Sequence, residues 1–267
     1  MRYNRIKGRT PGAGMLRAWI TLSFSLFLFV HAMAQSEGGL LLTADVDKKI
    51  NKKLSMDIEG TFRTRNDFKT VDRWSGALGV SYKLTKWLKA SAGYTLLYDN
   101  YREKISYHRT SDGTITGYNN WRPSYWGTRH RVNAALTVDH KVWGDLRLSL
   151  RERWQYTYRH ETTPDRWDFD NAQWEKKVRG GKGKNQLRSR LQMEYDKKNA
   201  IFKPYAYIEL YNKWSIEKVR YTVGTDIKLT KQHSFDVFYR FQDARNVDDD
   251  DYTPDMHYIG IGYKFKL

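Results

Sequence analysis

Arginine falls repeatedly on one parity in two stretches of this 267-residue chain. In Leu146-Arg147-Leu148-Ser149-Leu150-Arg151-Glu152-Arg153, the residues Arg147, Arg151 and Arg153 share a parity opposed to leucine. In Leu187-Arg188-Ser189-Arg190-Leu191-Gln192-Met193-Glu194-Tyr195, Arg188, Arg190 and Glu194 do the same. A strand sends alternate side chains to opposite faces, so each stretch sets a row of guanidinium groups on one side. Guanidinium is always charged and grips carboxylate or phosphate oxygens through a planar fork of donors. Two chemistries follow: a ladder of arginine–carboxylate pairs, or a surface along which anions bind and move.

Other candidate chemistry is sparser. His108 and His160 stand near predicted loops, with Ser106 and Ser111 close to His108. A nucleophile and its base are recognised by geometry, and no strand places such a pair in register. The sequence therefore names no catalytic residue. The stretch around Trp167, Phe169 and Trp174 leads into Lys176-Lys177-Val178-Arg179-Gly180-Gly181-Lys182-Gly183-Lys184, a mixture suited to phosphates and sugars or to a solvated loop. Its glycines lack phosphate-loop spacing and join no strand to a helix, which excludes that mode of nucleotide binding. Asp248–Asp251 is a run of carboxylates without the spaced ligands of a calcium loop, and reads as a charged cap. No motif implies a cofactor or metal. With no Cys, disulfides and thiolate sites are excluded.

The elements that must position the arginines are strands. Period-two alternation predicts them near 39–48, 53–65, 74–84, 87–99, 128–142, 145–159, 187–196, 200–211, 216–229, 233–243 and 256–267. The last, Tyr258-Ile259-Gly260-Ile261-Gly262-Tyr263-Lys264-Phe265-Lys266-Leu267, alternates out to the final residue. Trp74, Trp87, Trp143, Trp154, Tyr94, Tyr98, Tyr211 and Trp214 cluster near strand ends, as aromatic girdles do at membrane interfaces. The low mean hydropathy of -0.79 is compatible with a barrel, because lumen-facing polar residues dilute each lipid-facing stripe. A soluble β-sandwich, secreted or periplasmic, also alternates and stands as an alternative fold.

Residues 1–34 read as a secretory signal peptide: Arg2, Arg5, Lys7, Arg9 and Arg17, an apolar run from Trp19 to Val30, then Ala32-Met33-Ala34. Residues 35–267 then form one domain, an all-β transmembrane antiparallel β-barrel of 10–12 strands. Short connections at Lys49–Lys52, Thr85–Lys86, Trp143-Gly144, Lys197–Asn199 and Thr230–Gln232 are expected on the periplasmic side. Longer ones near Asn66–Arg73, Tyr101–Gly127, Glu161–Gln186 and Asn246–Pro254 are expected outside. Eleven segments is an odd count where bacterial single-chain barrels are even. Either segment 39–48 lies outside the wall or a twelfth strand hides in a loop.

The arginine-rich strands, the acidic strand Tyr207-Ile208-Glu209-Leu210-Tyr211 and the terminal strand together resemble an uncharacterised family of Gram-negative outer-membrane β-barrels, classed as a domain of unknown function, porin-like or phospholipase-like in outline. The resemblance implies the fold and an outer-membrane address, and carries no activity. Gly262, Phe265 and Leu267, at alternating or near-alternating positions, also resemble the signal read by the barrel-assembly machinery.

Phase places Arg147, Arg151, Arg153, Arg188, Arg190, Glu194, Glu209, Arg220, Asp226, Asp236 and Arg240 in the lumen, joined by Arg63, Arg65, Arg129, Arg131, Asp57, Glu59 and Asp139. The function expected is a narrow anion-favouring channel, or a structural barrel whose lumen is filled by arginine–carboxylate pairs. A lipid hydrolase or deacylase at the rim is the alternative. Expected partners are outer-membrane lipid, lipopolysaccharide and the barrel-assembly machinery. The net charge of +17 does not imply nucleic acid, since it is spread along alternating strands of a secreted chain. Oligomeric state is left open. Glu152 breaks its strand's alternation, so either a bulge at Arg151–Arg153 turns it inward or it sits near the interface.

Overall fold

The computed structural model describes residues 36–246 and 254–267. The signal-peptide segment and Asp248–Asp251 lie outside the described residues. Fifteen strands follow in order: β1 (Glu37–Lys49), β2 (Leu54–Arg65), β3 (Thr70–Lys83), β4 (Leu88–Tyr101), β5 (Lys104–Arg109), β6 (Ile115–Arg122), β7 (Tyr125–Trp143), β8 (Leu146–Arg159), β9 (Asp165–Asp168), β10 (Gln173–Lys176), β11 (Lys182–Tyr195), β12 (Phe202–Asn212), β13 (Ile216–Lys228), β14 (His233–Ala244) and β15 (Met256–Lys266). Eleven of them close into a barrel in the order β1-β15-β14-β13-β12-β11-β8-β7-β4-β3-β2.

The odd count is resolved by the closing pair. Neither a stray first segment nor a twelfth strand is needed. β1 and β15 run parallel from Glu37 opposite Met256 to Asp47 opposite Lys266. Every other neighbouring pair in the wall is antiparallel. A parallel ladder still pairs backbone N–H with C=O, so the wall has no open edge.

The short turns follow from local sequence. The Asn51 side chain accepts hydrogen bonds from the backbone N–H of Lys53 and Leu54, at 2.8 and 2.9 Å. Thr85 does this for Trp87 and Leu88, and Thr230 for Gln232 and His233. These are the side-chain turns that Asn and Thr favour. Gly144 takes a φ of 53° between β7 and β8, a left-handed backbone that suits glycine.

Two connections read as loops contain structure of their own. β5 and β6 lie between β4 and β7, and β9 and β10 lie between β8 and β11. They join in a separate four-stranded sheet of order β10-β9-β6-β5. Local periodicity missed them because the sheet depends on a contact between distant hairpins, Trp121 opposite Trp167. β11 accordingly begins at Lys182, earlier than expected.

Polarity is inverted relative to a water-soluble core. Large apolar residues such as Ile58, Leu78, Leu136, Leu191 and Ile259 are exposed on the outside, each at half or more of its surface. Glu209, Gln242, Glu217 and Asp99 are among the most buried residues. Exposed aromatics mark both ends of the outer surface, with Trp74, Tyr98 and Trp126 toward the long connections and Tyr82, Trp87 and Trp143 toward the short turns. Tyr211 is a correction to the girdle reading. It is 4% exposed and points inward, because it shares the parity of Glu209.

A small apolar cluster does sit inside the wall, formed by Leu41, Phe238, Met256 and Tyr258. Gly260 makes room for it, since a Cβ there would come within 2.0 Å of the Phe238 ring. Gly260→Ala is expected to destabilise the refolded barrel by about 1–3 kcal/mol through overpacking. Denaturant unfolding checks this, and the added cost of Gly260→Ala should largely vanish when it is measured against a Phe238→Ala background, where the clashing ring is absent.

Candidate functional site

The lumen encloses a cavity of about 980 Å³. It runs from Arg102, Lys104 and Lys182 at the long-loop end to Ser81, Lys89 and Lys264 near the short turns. Basic side chains outnumber acidic ones along its wall by more than two to one.

At its centre one carboxylate gathers four arginines. Glu209 on β12 is 1% exposed. Arg151 on β8 and Arg188 on β11 each donate to it at 2.8 Å, and Arg190 donates at 3.1 Å. Arg220 on β13 lies at 4.0 Å. The Tyr211 hydroxyl donates to the same carboxylate at 2.9 Å. Tyrosine rings then support the cations: Arg188 and Arg220 lie over Tyr211 at 4.5 and 4.7 Å, and Arg190 over Tyr207 at 4.1 Å. Register produces this convergence. Arg190 stands opposite both Glu209 and Arg151, and Glu209 opposite Arg220, so one cross-strand row spans β8 to β13.

Further carboxylates organise the outer half. Asp99 pairs with Arg73 and with Arg129, the latter at 2.7 Å. Asp72 pairs with Arg63 and Arg65. Glu217 accepts from Gln186 and pairs with Lys184 at 2.7 Å. Two bulges make these clusters possible. The register shift at Arg63/Thr64 brings Asp72 inward beside Arg63 and Arg65, and the shift at Tyr211/Asn212 buries Glu217 next to Lys218. Asp99 and Arg73 were legible from parity, each standing one residue from an outward-facing aromatic, Tyr98 and Trp74, whereas Asp72 and Glu217 had no sequence signal, because a bulge depends on its neighbouring strand.

Arg131 and Arg153 face the cavity without an ion-pairing carboxylate among the described residues; Arg131 donates instead to Thr157 at 3.1 Å. Lys218 lines the same wall, with the Tyr211 ring at 5.3 Å from its ammonium and likewise no ion pair. Lys89, Arg159 and Arg240 also line the cavity without an ion-pairing carboxylate among the described residues, Arg159 donating to the Gly180 carbonyl and Arg240 to the Tyr207 hydroxyl.

Of the residues that phase placed inside, Arg151, Arg153, Arg188, Arg190, Arg220, Asp236 and Arg240 line the cavity, and so do Asp57, Glu59, Arg63, Arg65, Arg129 and Arg131. Glu209 lies beneath its arginines. Arg147 sits at the short-turn end and pairs with Asp196 at 2.6 Å, opposite Glu194 in register. Asp226 and Asp236 share Lys264, at 3.3 and 3.6 Å, and Asp236 also accepts from the Tyr205 hydroxyl. In the turn after β11, partial burial disfavours the Asp196 carboxylate, yet Lys203 and Arg147 hold its pKa below the usual carboxylate range. Their pairing therefore contributes fully above the ordinary aspartate pKa and is lost as pH falls through the lowered value.

Glu152 is not turned inward. β8 pairs with β11 in unbroken register from Arg159 to Leu146, without a bulge at Arg151–Arg153. Glu152 shares the outer face with Leu150 and Trp154, and the hydroxyl of its register partner Ser189 donates to it at 2.7 Å. His108 bonds Asp170 at 3.0 Å, while the Ser106 hydroxyl donates to the Asn120 carbonyl. His160 packs edge-on against His130 and Tyr158.

A protein-family profile described as "Protein of unknown function (DUF2490)" matches residues 38–253. The chain belongs to this family. Among solved structures it is similar to the β domain of the Bordetella autotransporter BrkA, at 13% identity and a TM-score of 0.45, covering 79% of this chain and 78% of that one. It is similar to the NanC porin at 16% identity and a TM-score of 0.45, covering 86% and 98%. The translocator domain of the autotransporter NalP from Neisseria meningitidis shares 8% identity at a TM-score of 0.44, covering 74% and 71%. No curated protein matches the chain.

Glu209→Gln is expected to lower barrel stability by about 3–5 kcal/mol, because it strands several buried guanidinium groups without their counter-charge. Unfolding of the refolded variant checks this. The cost should shrink when Arg188 is changed to Met in the same chain.

Proposed function

We propose that the protein is an outer-membrane barrel whose lumen is a narrow passage favouring anions. The observation that carries this reading is the set of cavity-lining cations without an ion-pairing carboxylate among the described residues, Arg131, Arg153 and Lys218 among them. Rings of basic side chains select anions in pores because the local potential concentrates the opposite charge. The exposed apolar belt with aromatics at both ends supports a membrane setting for the wall. In this reading the chain is secreted, and Gly262, Phe265 and Leu267 present the terminal strand to the barrel-assembly machinery. Phe265 stacks on His233 at 5.0 Å, which orders that strand end.

A second reading is a structural barrel with a charge-filled lumen. It draws on the buried Glu209 cluster, where four arginines and a tyrosine fill the space around one carboxylate.

Planar-bilayer conductance under a salt gradient separates the two. The channel reading expects discrete steps with a reversal potential on the anion side. Arg131→Gln with Arg153→Gln should lower the anion-to-cation permeability ratio several-fold while leaving insertion intact. A silent bilayer with insertion confirmed supports the filled lumen instead.

The belt has its own test. Leu191→Arg places a charge on the outer face near mid-strand and is expected to cost about 2–4 kcal/mol in lipid vesicles. A soluble sandwich would tolerate it at little cost.

A further inference from the structure

The sheet of β5, β6, β9 and β10 has one aromatic face. Ile105 stands opposite Trp121, Trp121 opposite Trp167, and Trp167 opposite Trp174. Residues directly opposed across strands share a face. Tyr107 follows Ile105 by two positions and stands opposite Tyr118, and Phe169 follows Trp167 by two, so these rings join the same face. The rings form a connected surface: centroids are 5.4 Å apart for Tyr107–Tyr118, 5.2 Å for Tyr118–Phe169, 5.8 Å for Trp121–Trp174 and 5.5 Å for Trp167–Trp174. Tyr118 and Trp174 keep more than half their surface exposed.

The opposite face is polar and continues the lumen. Lys104 and Arg122, opposed to each other and one residue from Ile105 and Trp121, line the barrel cavity. Arg166 pairs with Glu175 on the same polar side. The aromatic face is therefore the continuation of the outer, apolar surface of the wall beyond its end. Just below it, at the ends of β4 and β7, Tyr98 and Trp126 stack at 4.7 Å on the outer surface. Lys176 and Lys177, exposed where β10 ends, pair with no carboxylate among the described residues.

We infer that this face binds the phosphorylated sugars of lipopolysaccharide in the outer leaflet around the barrel, an inference that rests on the outer-membrane reading above. Three features fit that occupant. The face is continuous with the belt and rises past the aromatic girdle, which places it at headgroup rather than acyl-chain depth. Flat exposed rings offer stacking surfaces to the C–H faces of sugars, and an exposed apolar patch of this kind marks an interaction site. Unpaired lysine ammonium groups at its edge complement phosphate.

The test uses the full refolded barrel in detergent micelles, titrated with delipidated, phosphorylated core oligosaccharide and followed by isothermal titration calorimetry. Saturable binding is expected. Trp167→Ala with Trp174→Ala should weaken it about tenfold or more. Lys176→Gln with Lys177→Gln, which removes both charges without setting a second carboxylate opposite Asp165, should weaken it similarly and abolish the preference over dephosphorylated oligosaccharide. Absence of saturable binding by folded wild-type barrel, or unchanged affinity in both variants, overturns the inference. Binding retained by the lysine variant and lost with the tryptophans overturns the phosphate assignment. Insertion and conductance of the same preparation are measured in parallel. A barrel that inserts but does not bind defeats the headgroup inference alone, and one that does not insert defeats the outer-membrane reading beneath it.

Discussion

A closed wall leaves no strand edge unpaired, and this constraint organises the molecule. With eleven strands in the wall, the first and last necessarily run in the same direction. The chain meets the constraint through the parallel ladder from Glu37/Met256 to Asp47/Lys266. Closure then fixes the inward parity of every strand, because a slip of one residue would send the arginines outward and the leucines inward. The lumen's charge is thus a consequence of register as much as of composition.

Within the closed wall, buried charge is held by sharing. A single carboxylate serves several guanidinium groups, as at Glu209, Asp99 and Asp72. Tyrosine rings extend the arrangement by lying under the planar cations, which attract the ring face. A buried ion pair is weak evidence for stability, but removing one partner is costly. The sharing ratio leaves basic groups over. That surplus leaves the lumen lining net basic.

The wall is uneven around its circumference. β1, β14 and β15 carry the apolar cluster of Leu41, Phe238 and Tyr258 into the lumen, with Gly39 and Gly260 giving up side-chain volume to admit the Tyr258 and Phe238 rings. Arginines from β2, β3, β7, β8, β11, β13 and β14 line the rest of the lumen, with Arg63 and Arg240 lying over the Tyr258 and Phe238 rings of that cluster. Above them the chain builds a second sheet whose polar side prolongs the lumen and whose aromatic side prolongs the outer surface. The same inside–outside distinction therefore persists past the end of the barrel.

Alternation alone determined the strand character of all eleven wall segments and the side on which Arg151, Arg188, Arg190, Glu209 and Arg240 lie, because parity is a local property of an extended chain. Parity also implied that Tyr211 sits inside, since it lies two residues from Glu209; position near a strand end was the weaker guide. Short turns were legible from Asn51, Thr85 and Thr230, whose side chains bond the backbone two or three residues on. What only the tertiary structure decided depends on partners distant in sequence. The parallel closure, the bulges that bury Asp72 and Glu217, the outward placement of Glu152 beside Ser189, and the sheet joined through Trp121 and Trp167 are of this kind. Each is fixed by which strand lies alongside, and a strand's own residues do not encode the register of its neighbour.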